Sequence, residues 1–189
     1  MNIFKFKNIK IENKYSKFNN LYFDYLSGED IELIRIWRNN QKNVLRQNQS
    51  ISKADQIKYF NKVIKKEIKR NKPNLILFSI KKKNRTIGYC GLVNISWTNK
   101  SAEISFLLDH KFKNKKKEYK SIMLRSFERL FQIGFDKLKL KKLFTETFLF
   151  RKDHIKILSI AGMQKEGILK KHYRKSNKFI DSILHAKFR

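Results

Sequence analysis

The chain has 189 residues, of which 41% are hydrophobic, 13% aromatic and 32% charged, a balance that excludes a disordered chain and suits one domain with a sizeable core. Lys and Arg outnumber Asp and Glu by 45 to 16, a formal net charge of +29. Such a charge fits nucleic acid, an anionic membrane or small substrates carrying several phosphates, and it fits equally a lysine-rich coding composition, because the lysines run through the whole chain.

Cys90 is the only cysteine, so an intrachain disulfide is excluded and a cysteine-built metal site is not expected. Its apolar, strand-like surroundings read as those of a buried structural thiol. No apolar stretch is long enough to span a bilayer, and the segment from Met1 to Lys7 lacks the apolar core of a signal peptide. The expectation is a soluble protein of the reducing cytoplasm, without metal.

In chain order, residues 1–20 alternate weakly and read as an edge strand or arm, and 21–189 as the single domain. Leu21 to Leu26 reads as a strand, and Ser27-Gly28-Glu29-Asp30 offers caps for a helix through Trp37. A second helix starts after Ser52, with Ile57, Phe60, Val63, Ile64 and Ile68 at helical spacing, and ends at Asn71-Lys72-Pro73. Three strands follow: Leu75 to Ile80, Thr86 to Ile95 and Ala102 to Leu108. An amphipathic helix covers Tyr119 to Lys137, Leu143 to Phe150 is a strand, and Asp153 to Ile160 a short helix. Gln164 to Tyr173 and Phe179 to Lys187 close the chain as a hairpin.

This order, β-α-α-β-β-β-α-β-α-β-β, is that of a mixed α/β domain, and particular residues carry a resemblance. Arg38-Asn39 at the end of the first helix and Ile51-Ser52 at the start of the second, Ile87 to Leu92, Ala102 to Leu108, Gly162-Met163-Gln164-Lys165-Glu166-Gly167 and Phe179-Ile180-Asp181 occur in the order found in GNAT acyltransferases. The chain resembles that family from about Leu21 to its end. Within it, Gly167 to Lys171, Asn177 to Asp181 and a glycine-poor loop are most similar to the branch that acetylates the 4-amine of a UDP-linked amino sugar in pseudaminic acid biosynthesis. The resemblance implies an α/β (α+β) fold with a mixed, mostly antiparallel sheet of about seven strands flanked by about four helices. It also implies direct transfer from acetyl-CoA to an amine in a ternary complex.

The resemblance assigns cofactor contacts to Phe106, Leu107 and Leu108, to the loop Lys113, Asn114, Lys115, Lys116, Lys117 and Tyr119, and to Arg151. A helix N-terminus binds phosphate through free N–H groups and its dipole. The family's loop carries glycines, whereas Lys116 and Glu118 stand at those positions here, so neighbouring lysines would supply the contacts as charges. Acyl transfer needs a base, an oxyanion site and a proton for the thiolate. Glu103 is the candidate base, and backbone N–H groups near Phe106 and Leu107 would meet the oxyanion. Relatives carry Tyr where this chain has Leu158, leaving Ser159, His154 and Tyr173 as candidate acids. For the acceptor, Arg38 and Arg46 suit a diphosphate, Asn39, Gln47, Asn48 and Gln56 a base or sugar, and Trp97 a ring. Gln56 stands where the pseudaminic branch has His.

Two other readings stand beside this one. Acetylation of a protein N-terminus, such as that of a ribosomal protein, shares the same outline, and a basic surface would help docking on RNA. The missing loop glycines and Leu158 also fit a non-catalytic, GNAT-shaped basic binding module, although no nucleic-acid motif is present. Monomer and homodimer are both compatible with the sequence.

Overall fold

A computed structural model describes residues 21–189; the expected N-terminal arm lies outside the described residues. Seven strands form one sheet in the order β1-β2-β3-β4-β5-β7-β6. They are β1 (Leu21–Tyr25), β2 (Ile76–Lys82), β3 (Arg85–Ser96), β4 (Ser101–Leu108), β5 (Lys142–Phe148), β6 (Gln164–Lys175) and β7 (Lys178–Phe188). Every neighbouring pair is antiparallel except β4 and β5, which run parallel.

Helix α1 (Asp30–Asn40) leads to α2 (Lys53–Tyr59), which continues through a wide π turn (Phe60–Ile64) into α3 (Lys65–Ile68). The side chain of Ser52 caps α2 by accepting from the Asp55 backbone N–H at 3.0 Å, as the sequence foretells. At α1 the capping is reversed. Buried Asp30 reaches back, accepting from the N–H and hydroxyl of Ser27 at 2.9 Å each, and from Ser79 and Thr86. Burial opposes its ionisation, but these hydrogen bonds from Ser79, Thr86 and Ser27 hold its pKa below the usual value. Helix α4 (Lys116–Phe131) also runs on through a π turn (Gln132–Lys137), and α5 (Lys152–Ile160) precedes the closing hairpin.

Side chains alternate across a strand, so each central strand serves two cores. Ile76, Phe78, Ile80, Cys90, Leu92, Ala102, Ile104 and Leu108 join Phe127, Leu130, Ile157 and Leu158 on the α4/α5 face. Leu77, Tyr89 and Leu107 join Ile31, Ile34, Trp37, Phe60 and Ile64 on the α1/α2 face. Glu103 and Ser105, the alternate residues of β4, therefore point to the α1/α2 side, and Phe106 points to the α4 side.

Among the glycines, Gly91 stands closest to a neighbouring backbone. A Cβ there would stand 2.0 Å from the Ile76 carbonyl oxygen and 2.9 Å from Leu77 Cα, both backbone atoms that can only yield by moving the strand. Gly91→Ala is expected to lower unfolding free energy by about 1–3 kcal/mol, the range for forced overpacking. Urea denaturation of both proteins checks this, and an unchanged midpoint would contradict the registry described here.

Candidate active site

Strands β4 and β5 are paired only from Ser101, Ala102 and Glu103 to Lys142, Leu143 and Phe144. Beyond that point they diverge. Ile104 to Leu108 then has β3 on one side and, among the described residues, no strand on the other. The gap is a cleft lined by Val93, Glu103, Ser105 and Phe106 on one side, Thr145 to Phe148 on the other, and Phe127, Arg151 and His154 behind. Backbone amides left unpaired there are open to a ligand that carries amides of its own.

The cleft opens at one end into a groove of about 1100 Å³, which shares Val44, Arg151 and His154 with it. Lys42, Lys113, Lys116, Lys120, Lys152 and Lys156 line this groove against two carboxylates, Asp109 and Asp153. Helix α4 points its N-terminus here, and Lys115 gives it no side-chain cap. The first N–H groups of that helix are therefore open to an acceptor from outside. Lys116 is exposed and pairs with Asp153 at 2.9 Å, an exposed contact that a phosphate can replace at little cost. Asn114, Lys115 and Lys117 are exposed beside the groove; Lys115 lies over the Phe112 ring. The side chains of Leu107 and Leu108 are buried in the two cores, leaving only their backbone for a ligand.

Where groove meets cleft, Arg151, His154 and Tyr119 form one polar cluster. His154 Nδ1 lies 3.0 Å from the Tyr119 hydroxyl and 3.3 Å from Arg151 Nη2. A guanidinium can only donate, so Nδ1 is an acceptor and the ring proton sits on Nε2. Burial, then the charges of Arg151 and His185, hold the His154 pKa well below its usual value. Burial raises the Tyr119 pKa against the opposing charge of Arg151, and burial lowers that of Arg151. Among the described residues no carboxylate forms a salt bridge with Arg151, which also interacts with Tyr119 and with the Val44 carbonyl at 3.5 Å. A shielded cation without a counter-ion attracts an anionic ligand.

On the α1/α2 side the cleft adjoins a chamber of about 580 Å³, with which it shares Val93 and Ser105. Its walls include Leu26, Ile34, Leu77, Tyr59 and Tyr89, with Arg38, Gln56 and Asn94 as polar groups. Burial raises the pKa of Tyr59, and the nearby Tyr89 adds to the rise. Arg38 is held by Gln47 Oε1 at 3.1 Å and donates to the Tyr89 hydroxyl at 2.9 Å.

Several expected contacts change role. Arg46, exposed and lining the cleft, bridges Glu103 on β4 and Glu146 on β5, the latter at 2.9 Å, and so staples the strands where they part. Asn39 clips the backbone of Ile51 through both its amide atoms at 2.9 Å, and buried Gln47 donates to Asn39 at 3.0 Å and to the Gln49 carbonyl at 2.9 Å. Both shape the α1–α2 connection. Asn48 is exposed and donates to the Arg174 carbonyl at 3.3 Å. Trp97 donates to the Pro73 carbonyl at 2.9 Å and packs on the core, away from all three cavities. Ser159 is exposed and bonds back to Ile155 of its own helix at 3.3 Å. Tyr173 packs on Phe148 with ring centroids 5.4 Å apart but does not line the cleft. Glu103 is 5% exposed, deep in the cleft, and accepts from Arg46 and from Asn94 at 3.0 Å. Glu146 was missed; its approach to Arg46 spans 100 residues of sequence and no local pattern announces it.

Burial also depresses the pKa of His185, with Lys165 adding to the shift, so two histidines bind protons more weakly folded than unfolded. The unfolded chain takes up protons first as pH falls through 6.5, the reference value for both. Stability is thus full above that value and declines below it, before carboxylates titrate. Urea midpoints between pH 7.5 and 5 are expected to fall, less steeply in His154→Asn; a flat profile would contradict the buried, neutral imidazole.

Residues 24–184 match the family described as Acetyltransferase (GNAT) domain. No curated protein matches significantly. Solved structures with a similar fold include the Vibrio cholerae spermidine N-acetyltransferase in complex with CoA and spermine, at 17% identity, covering 89% of this chain and 95% of that one with a TM-score of 0.76. The microcin C7 self-immunity acetyltransferase MccE, in complex with acetyl-CoA and AMP, is also similar at 17% identity, 97% coverage of both chains and a TM-score of 0.77. The ribosomal L7/L12 alpha-N-protein acetyltransferase RimL, in complex with CoA, matches at 15% identity, 89% and 94% coverage and a TM-score of 0.76. The divergent strands, the uncapped helix and the basic groove agree with the family match: this chain belongs to the GNAT acetyltransferases, which move an acetyl group from acetyl-CoA to an amine.

Proposed function

We propose that the protein acetylates the primary amine of a nucleotide-linked amino sugar. The observation that carries this reading is the chamber beside Glu103: its apolar and tyrosine walls suit a planar base, while Arg38 and Gln56 offer a cation and an amide to a nucleotide. The formal charge of +29 favours an acceptor carrying phosphates over a polycation. Asp55, the chamber's one carboxylate, already accepts from the Ser52 hydroxyl at 2.7 Å.

In this reading acetyl-CoA supplies an activated thioester. Its phosphates lie in the basic groove at the α4 N-terminus, near Lys113, Lys116 and Arg151, and its amide-bearing arm occupies the gap between β4 and β5. The acceptor amine reaches the cleft from the chamber and gives up a proton to the carboxylate pair of Glu103 and Glu146. Backbone N–H groups near Phe106 and Leu107 meet the developing oxyanion. His154, fixed as the neutral Nε2–H tautomer, keeps its proton and offers a hydrogen bond to the departing thiolate, which takes its proton from the amine nitrogen as the intermediate collapses.

The test follows CoA thiol release with a UDP-linked 4-amino sugar, spermidine and a peptide with a free N-terminus. The sugar nucleotide is expected to turn over best, and Arg38→Ala to raise its KM by about 10- to 100-fold, the loss of one or two charge-assisted hydrogen bonds. The acetyl-CoA dissociation constant should stay unchanged. Preference for the peptide, or for spermidine with no effect of Arg38→Ala, would remove the sugar-nucleotide reading.

A further inference from the structure

Glu103 and Glu146 lie on the same α1/α2-facing side of strands β4 and β5, with Arg46 between them. Their four oxygens are not equivalent. Glu103 uses both: Oε1 accepts from Arg46, and Oε2 from Asn94 at 3.0 Å. Glu146 gives Oε2 to Arg46 at 2.9 Å, while its Oε1 is buried and has no hydrogen-bond partner among the described residues. The Glu146 side chain is only 10% exposed and lines the cleft. A buried carboxylate oxygen without a donor is costly, and it calls for a donor from outside the chain. His172 Nε2 on β6 lies 3.9 Å from it, on a side chain 50% exposed to solvent.

We propose that Glu146, not Glu103, takes the proton from the acceptor, and that His172 carries it on to water; this rests on the acetyltransfer reading above. The acceptor arrives as an ammonium ion and donates to Glu146 Oε1, so an N–H bond breaks as an O–H bond forms. The freed amine then attacks the thioester. Glu146 passes the proton to His172 Nε2, and the imidazolium releases it to solvent, which restores both groups. Two carboxylates against one guanidinium leave a net negative charge at this spot, which selects an ammonium group on an otherwise anionic acceptor. Glu103 is a positioning residue: with Asn94 it holds Arg46, which orients Glu146.

The test compares ethylamine with 2,2,2-trifluoroethylamine, similar in shape but respectively protonated and neutral at pH 7, as acceptors at saturating acetyl-CoA. Glu146→Gln is expected to lower kcat/KM for ethylamine by about 10²-fold, the low end for a general base, and that for trifluoroethylamine by less than about threefold. Acetyl-CoA binding and the urea midpoint of the variant should match the unaltered protein. Glu103→Gln should depress both amines together, because Arg46 loses its anchor. Amine-selective loss in Glu103→Gln with none in Glu146→Gln would overturn the assignment. An unaltered protein that acetylates neither these amines nor a UDP-amino sugar would overturn the acetyltransfer reading, and this one with it.

Discussion

Everything functional in this molecule depends on the parting of β4 and β5 after Glu103. Two parallel strands that stayed paired would fill their hydrogen bonds and close the sheet. Here they pair over Ser101–Glu103 and Lys142–Phe144 alone, and the freed edges make a cleft through the middle of the sheet. The separation is held by packing and by charge: Phe106 meets Phe127 edge-on from the α4 side, while Arg46 ties Glu103 to Glu146 on the other face. Because side chains alternate, one opening receives residues from both faces of the sheet. The α5 groove and the α1/α2 chamber both adjoin the cleft that these carboxylates line.

The charge of the chain acquires a direction once folded. Lysines crowd the groove at the α4 N-terminus, and Arg151 stands shielded at its inner end with no carboxylate partner among the described residues. The cleft then leads to a locally acidic point at Glu103 and Glu146. This polarity suits a donor with phosphates at its outer end and an amine acceptor at the centre. Loop glycines are not needed for it, since side-chain cations and an uncapped helix attract phosphate without close backbone approach.

Much of the fold was legible because local patterns coincide with elements here. The period of two in Ile87–Leu92 and Ala102–Leu108, the Ser52 cap and the apolar stripe of α4 each mark an element where it occurs. The π turns at Phe60–Ile64 and Gln132–Lys137 were not legible, since the apolar spacing of a wide turn barely differs from that of an α-helix. The site was legible only in part. Glu103, His154 and Arg151 line the cleft, and Arg38 and Gln56 line the chamber beside it. Arg46, Asn39 and Gln47 are read from the sequence as substrate contacts, yet Arg46 pairs with carboxylates 57 and 100 residues away and the two amides bond within the α1–α2 connection, while the need of Glu146 for a partner is a fact of three dimensions. Trp97 shows the same limit: its indole looks available in a sequence and is spent on the Pro73 carbonyl in the fold.

The measurement closest to the centre of this account is an equilibrium titration of the protein with acetyl-CoA over a range of salt concentrations. The divergent strands, Arg151 and the lysine groove together require saturable binding at one site, weakening as salt rises because the contacts to phosphate are ionic. Absence of saturable binding at low salt would contradict the account, leaving a GNAT-shaped domain whose cleft serves some other purpose.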